Sequence, residues 1–98
     1  MENFNLEQIE TIREIIKDFH KNANNFGLNS KAENIKMFKD DENNFYVSYL
    51  GTYLGPDGET ANEYYLKVDS EGKQERLNYK MTAIQLKEFF KTLTEIKL

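Results

Sequence analysis

The sequence predicts a single small α+β domain over residues 1–98: an antiparallel meander of three or four strands flanked by N- and C-terminal helices, in the order α-β-β-β(β)-α. Three observations predict it. Amphipathic helical stripes stand near both ends, apolar runs of strand length lie between them, and glycine-closed turns separate those runs. Ninety-eight residues with 39% hydrophobic content suit one core, and no repeat or linker interrupts the chain.

The first helix is marked at both of its ends. Asn5 with Gln8 forms an asparagine variant of the capping box, and Phe4 is placed to staple onto Ile9. Ile9, Ile12, Ile16 and Phe19 recur at helical spacing, with Ile15 widening the stripe. Glu10/Arg13, Glu14/Lys17 and Asp18/Lys21 are spaced as pairs on the opposite side. Asn24, Asn25 and Gly27 supply residues able to take the left-handed conformation that ends a helix.

Four strands are expected next: a short one from Ile35 to Phe38, a long one from Phe45 to Leu54, then Asn62 to Val68 and Gln74 to Tyr79. Asp40 to Asn43, Gly55-Pro56-Asp57-Gly58 and Asp69-Ser70-Glu71-Gly72 are the turns. At the end, Thr82 with Gln85 reads as a capping box. Met81 and Leu86 are placed as its staple, and Leu86, Phe89, Phe90, Leu93 and Ile96 form the stripe of a closing helix.

The strand Phe45 to Leu54, FYVSYLGTYL, is apolar on both sides. A half-exposed strand alternates apolar with polar residues, so something must cover each face of this one. Three-residue loops at both glycine-closed turns would set Tyr49 opposite Tyr65, Tyr65 opposite Leu77 and Lys67 beside Glu75; a shorter second loop would move Leu77 and Tyr79 to the other side. Neither register leaves one face purely polar. The expected packing puts both helices on one face and leaves the other partly aromatic.

Charge is unevenly spread. The chain carries a net −4, but residues 40–75 hold nine acids against Lys67 and Lys73, a balance of −7, and the remainder is +3. Such a footprint favours a basic partner and disfavours direct contact with nucleic acid, for which an aromatic platform of Tyr46 or Tyr65 with Arg76, Lys67 and Lys80 would need a basic groove. The MENFNLEQIE start lacks a basic leader, and no uncharged run reaches the roughly 18 apolar residues of a membrane span, so a soluble cytoplasmic protein is expected. The absence of cysteine fits a reducing compartment. Residues with AT-rich codons (Phe, Tyr, Met, Ile, Asn, Lys) total 45 against 12 for Gly, Ala, Arg and Pro, pointing to an AT-rich source of the phage or low-GC bacterial type.

Candidate chemistry is sparse. His20 is the one histidine and lacks an evident partner; the acidic loops Asp40-Asp41-Glu42 and Asp69-Ser70-Glu71-Gly72 lack the spaced ligands of a calcium loop; Glu63 and Glu75 could meet across strands, but nothing marks a pocket. Gly51, Gly55 and Gly58 match no phosphate-binding loop. No catalytic residue, metal site or cofactor is therefore expected.

The function expected is that of a non-catalytic protein-binding module, a small acidic inhibitor or regulator of the phage or mobile-element type. Its partner would be a protein, with a basic nucleic-acid-binding surface of an enzyme as one candidate and a second copy of the chain as another. Tyr46, Tyr49, Tyr53 and Tyr65 are the candidate aromatic contacts, and Asp40, Asp41, Glu42, Asp57, Glu59 and Glu63 the acidic ones. On that reading Tyr46→Asp or Tyr65→Asp weakens association and spares the fold. The alternative is a small-molecule-binding or small enzymatic domain whose aromatics line a pocket.

Overall fold

The computed structural model describes residues 6–42 and 44–96. Helix α1 spans Leu6–Asn25 and is followed by strands β1 (Asn29–Lys39), β2 (Phe45–Gly55), β3 (Gly58–Val68) and β4 (Gln74–Arg76). A 3₁₀ turn (Leu77–Tyr79), helix α2 (Ala83–Lys91) and strand β5 (Thr94–Ile96) complete the chain. The antiparallel sheet has the order β4-β3-β2-β1-β5, with β2 at its centre. The α+β class is as predicted, and the fifth strand is an addition to it.

Gly27 ends α1 at φ +70°, where its N–H reaches the Asn24 carbonyl at 3.0 Å and that of Leu28 reaches Ala23 at 2.9 Å. The Asn5 cap and the Phe4 staple fall outside the described residues. The α2 capping box is present in full: the Gln85 N–H donates to Thr82 Oγ1 at 3.2 Å, and the Thr82 N–H to Gln85 Oε1 at 2.9 Å.

The register of β2 with β3 departs from expectation by one residue. Gly55 pairs with Gly58 across a two-residue Pro56-Asp57 loop, so Tyr49 lies opposite Tyr64 and Ser48 opposite Tyr65. Proline presets the first loop position and Gly58 absorbs φ +121° directly after the turn, which lets the hairpin close tightly. The slip moves every β3 side chain to the other face. Tyr64, Leu66 and Val68 join Phe45, Val47 and Tyr49, while Tyr65 joins Tyr46. The β3–β4 register is as predicted, with Lys67 beside Glu75.

The two helices lie on opposite faces, which corrects the expectation that they share one. On the first face Ile15 and Phe19 of α1 are buried against Met37, Phe45, Val47, Tyr49, Tyr64, Leu66 and Val68. On the second, Leu86 and Phe90 of α2 are buried with Tyr46, Tyr65 and Leu77. One phenylalanine centres each cluster. The Phe19 ring lies 4.9 Å from Tyr53 and 5.6 Å from both Tyr49 and Tyr64; the Phe90 ring lies 4.9 Å from Tyr65, 5.2 Å from Phe38 and 5.7 Å from Tyr46. Because β2 is apolar on both sides, a helix on each is the arrangement that removes most apolar surface from water.

Four boundaries also differ. β3 starts at Gly58, four residues before the Asn62 expected, because the hairpin ladder with β2 runs on to the Gly55–Gly58 pair. β1 starts six residues earlier than the Ile35 expected: Asn29 to Glu33 alternates polar residues with Ser30 and Ala32, and pairing with Leu50 to Leu54 holds it in the sheet. Its ladder is interrupted between Glu33 and Lys36, where Asn34 takes φ +53°, a bulge that re-aims Ile35. β4 ends at Arg76, since the 3₁₀ turn carries Leu77 into the second cluster and leaves Tyr79 79% exposed. α2 stops at Lys91 and not at Ile96; the Thr92 hydroxyl donates to the Phe89 carbonyl at 2.6 Å, and Ile96 pairs with Met37 at the edge of β1.

At Gly51 the Phe19 ring of α1 lies directly against the sheet backbone. A methyl group there would sit 2.6 Å from Tyr64 Cε2 and 2.7 Å from Phe19 Cζ. Gly51→Ala is therefore expected to destabilise the fold by about 1–3 kcal/mol through overpacking, read as a lower urea midpoint. An unchanged midpoint would mean that Phe19 does not rest on Gly51.

Candidate protein-binding surfaces

The tyrosines expected to meet a partner are largely core residues. Tyr46 is 3% exposed, Tyr49 6% and Tyr65 8%, and Tyr53 is half-buried against the α1 cluster. These rings close the helix–sheet interfaces, so in the folded chain they present little surface to a partner. Burial drives their hydroxyls up. Tyr49 is raised to about 12; Tyr53 is also at about 12, by burial and then by its hydrogen bond with Tyr64. Tyr65 reaches about 12 by burial and by donating to Glu63 Oε2 at 2.6 Å. Tyr46 is raised further by burial and its contact with Asp40.

Asp40 is a fold residue as well. Its Oδ1 accepts from the N–H of Glu42 at 2.8 Å and of Asn44 at 3.1 Å, and its Oδ2 from the Asn44 side-chain amide at 3.0 Å and the Tyr46 hydroxyl at 2.8 Å. Partial withdrawal from water opposes its charge, but these bonds outweigh that cost and lower its pKa to about 2. Asp40 thus organises the β1–β2 turn and ties it to the α2 core through Tyr46. Asp41 and Glu42 are exposed in the same turn.

The acidic residues form two groups separated by the length of β2, whose 11 residues span about 35 Å. At one end stand Asp40, Asp41, Glu42 and the Asp69 turn. There Lys67, Lys73 and Lys80 line the same recess as Asp69 and Glu75, and Lys80 is ion-paired with Glu75, so the charge is largely offset. Asp57 and Glu59 stand at the other end, on the β2–β3 hairpin, and Glu63 stands midway along β3 opposite Leu50; all three are exposed.

That hairpin also has an open backbone edge. β4 pairs with β3 only over Leu66 to Val68. Asn78 extends the ladder by one step, its Oδ1 accepting from the Tyr65 N–H at 2.9 Å and its Nδ2 donating to the Glu63 carbonyl at 3.0 Å. Strand alternation aims the next outward groups, at Ala61 and Glu59, into solvent, with no strand beside them among the described residues. Sequence reasoning missed Asn78 in this part, because a side chain imitating a strand residue leaves no periodic signal. Nearby, Arg76 stacks over the rings of Tyr64 and Tyr79 at 4.4 and 4.8 Å and donates to the Tyr79 hydroxyl at 3.1 Å, which holds that exposed ring in place.

Other features are less suited to chemistry. His20 Nδ1 lies 2.5 Å from Ser30 Oγ, tethering α1 to β1. No acidic side chain lines the surrounding groove to orient such a pair as a catalytic dyad. Glu63 and Glu75 do not come together, since Glu63 pairs with Leu50 while Glu75 faces Lys67 and Lys80. Among the described residues no group of three or more His, Asp or Glu is placed to hold a metal ion, and no helix is long and apolar enough to cross a membrane. A cleft of about 570 Å³ lies between α2 and the sheet, touched by Phe38, Tyr65, Phe90 and Lys36.

The Asp40 turn gives a pH-dependent prediction. With the folded-state pKa below the ordinary 3.8, the ionised carboxyl stabilises the fold, fully above about pH 4 and progressively less as pH falls through about 2. Asp40→Ala should therefore cost about 2 kcal/mol at neutral pH, by loss of a charged hydrogen-bond acceptor. The gap from the parent in urea midpoint should narrow between about pH 4 and pH 2. A gap that stays constant over that range would show that the carboxylate charge does not hold the turn.

No family model matches the chain, and neither the curated proteins nor the solved structures include one that matches it.

Proposed function

We propose that the protein is a non-catalytic binding module that engages a basic protein surface through the β2–β3 hairpin, in the manner of a small acidic inhibitor or regulator. The observation that carries this reading is the coincidence, on one hairpin, of a strand edge left open from Gly58 to Asn62 with the exposed acids Asp57, Glu59 and Glu63. An open edge offers backbone hydrogen bonds to an extended segment of a partner, and acids beside it select for lysine and arginine. Tyr79, exposed but fixed by Arg76, adds the kind of rigid aromatic anchor that interfaces favour. On this reading the strand edge, and not the buried tyrosine face, makes the contact.

The ligand-binding alternative would place its small molecule in the cleft touched by Phe38, Tyr65 and Phe90. It predicts thermal stabilisation by a metabolite, whereas the hairpin reading predicts no such effect.

A photo-crosslinking amino acid at exposed Thr60 is expected to give adducts with basic proteins in lysate from a low-GC bacterium. These should be lost in Glu59→Lys/Glu63→Lys and weaken steeply between low and high salt. A photo-crosslinker at exposed Ser70, at the other end of the sheet, serves as the control. Equal labelling from both positions, or adducts indifferent to the charge reversal, would contradict the assignment.

A further inference from the structure

The opposite edge of the sheet carries a second surface of opposite sign. α1 and β1 enclose an open groove of about 700 Å³ whose floor is Ile12, Ile16 and Ile35, and none of the residues lining it is acidic. Arg13, Lys17 and Lys21 stand along its rim, and no ion pair joins any of them to another described side chain. The spacing expected of Glu10/Arg13, Glu14/Lys17 and Asp18/Lys21 is thus not used for pairing among the described residues, which leaves the cations facing the groove. His20, held to Ser30 at 2.5 Å, fixes the helix against the strand at one end, and the Asn34 bulge brings Ile35 to the floor at the other. β5 pairs with β1 only over Met37 to Lys39, so among the described residues the Asn29 to Glu33 edge beside the groove has no strand partner.

We infer that this groove binds an extended acidic peptide segment of a partner protein, laid between α1 and the open edge of β1. Residues four apart on a helix advance about 6 Å, and alternate residues of an extended strand about 6.6 Å. Acidic side chains at every second position of a bound strand therefore fall into step with Arg13, Lys17 and Lys21, while the peptide backbone reaches the free edge at Asn29 to Glu33. Aliphatic residues of the segment cover the isoleucine floor. Nucleic acid fits less well, because the lining has no Phe, Tyr or Trp for bases to stack upon, its one ring, His20, being held to Ser30, and the chain as a whole carries −4. This surface is separate from the β3 edge, and its occupancy does not depend on the function proposed for the hairpin.

The test is fluorescence anisotropy with a fluorescein-labelled peptide of alternating glutamate and valine, a lysine–valine counterpart, and an oligothymidylate, followed by amide chemical-shift mapping. The glutamate peptide should bind at low salt, shift the amides of residues 12–21 and 29–35, and lose at least about tenfold in affinity in Lys17→Glu/Lys21→Glu. Both positions are exposed, and an unchanged thermal melt confirms that this variant folds. Equal binding of the lysine peptide, shifts confined to other residues, or an affinity indifferent to the double reversal would overturn the inference. Tighter binding of the oligothymidylate at the same amides would assign the groove to nucleic acid, and concentration-dependent self-association reversed by Lys17→Glu/Lys21→Glu would assign it to a second copy; either overturns it.

Discussion

The structure depends on a central strand that cannot leave either face to water. β2 presents Phe45, Val47 and Tyr49 to one side and Tyr46 to the other, all buried. Each of these buried stretches is covered by one helix carrying one central phenylalanine, Phe19 from α1 and Phe90 from α2, while Leu54 towards the hairpin end of the α2 side stays 41% exposed. A single helix could not serve both faces, and two on one face would leave a row of rings in solvent. The same constraint explains Gly51: α1 approaches so closely that a side chain there would collide with Phe19 and Tyr64. Burial on one side and burial on the other are coupled through the backbone of β2, so this small domain behaves as two half-cores sharing a wall.

Much of this was legible because it is local. Capping residues and apolar spacing placed α2's start at Thr82, and the glycine turns placed the hairpins. What was not legible is set by tertiary competition. The N-terminal half of β1 has little apolar periodicity and exists because β2 offers it a partner, while Ser30 and Ala32 are small enough to lie near α1. Ile96 fits a helical stripe but belongs to a strand, since the free edge of β1 at Met37 to Lys39 competes successfully for it. The one-residue difference at Pro56-Asp57 had the largest consequence, because it decided which helix buries Tyr65.

The candidate contacts divided along the same line. Aromatic character was read correctly as a surface needing cover, but the helices of the same chain supply that cover. The acids do not form one patch, because β2 holds its two ends far apart: Asp40 is consumed by a turn, Glu63 accepts from the Tyr65 hydroxyl midway along β3, and Asp57 and Glu59 stand exposed at the hairpin end. What the sheet leaves uncovered is its two long edges, β3 flanked by acids and β1 beside a basic groove. Chain termini and short strands close half of each edge, and the remaining halves are where backbone groups stay available for partners.

The central claim is that both faces of β2 are closed over Phe45 to Tyr49 in the folded chain. It is tested most directly by comparing Tyr46→Ala with Tyr49→Ala, truncations on opposite faces of one strand, in urea unfolding at neutral pH. Both are predicted to cost about 3 kcal/mol or more, as large-to-small changes in packed cores do. If either costs less than about 1 kcal/mol, within the range of surface substitutions, that face is open and the two-sided closure of β2 is contradicted.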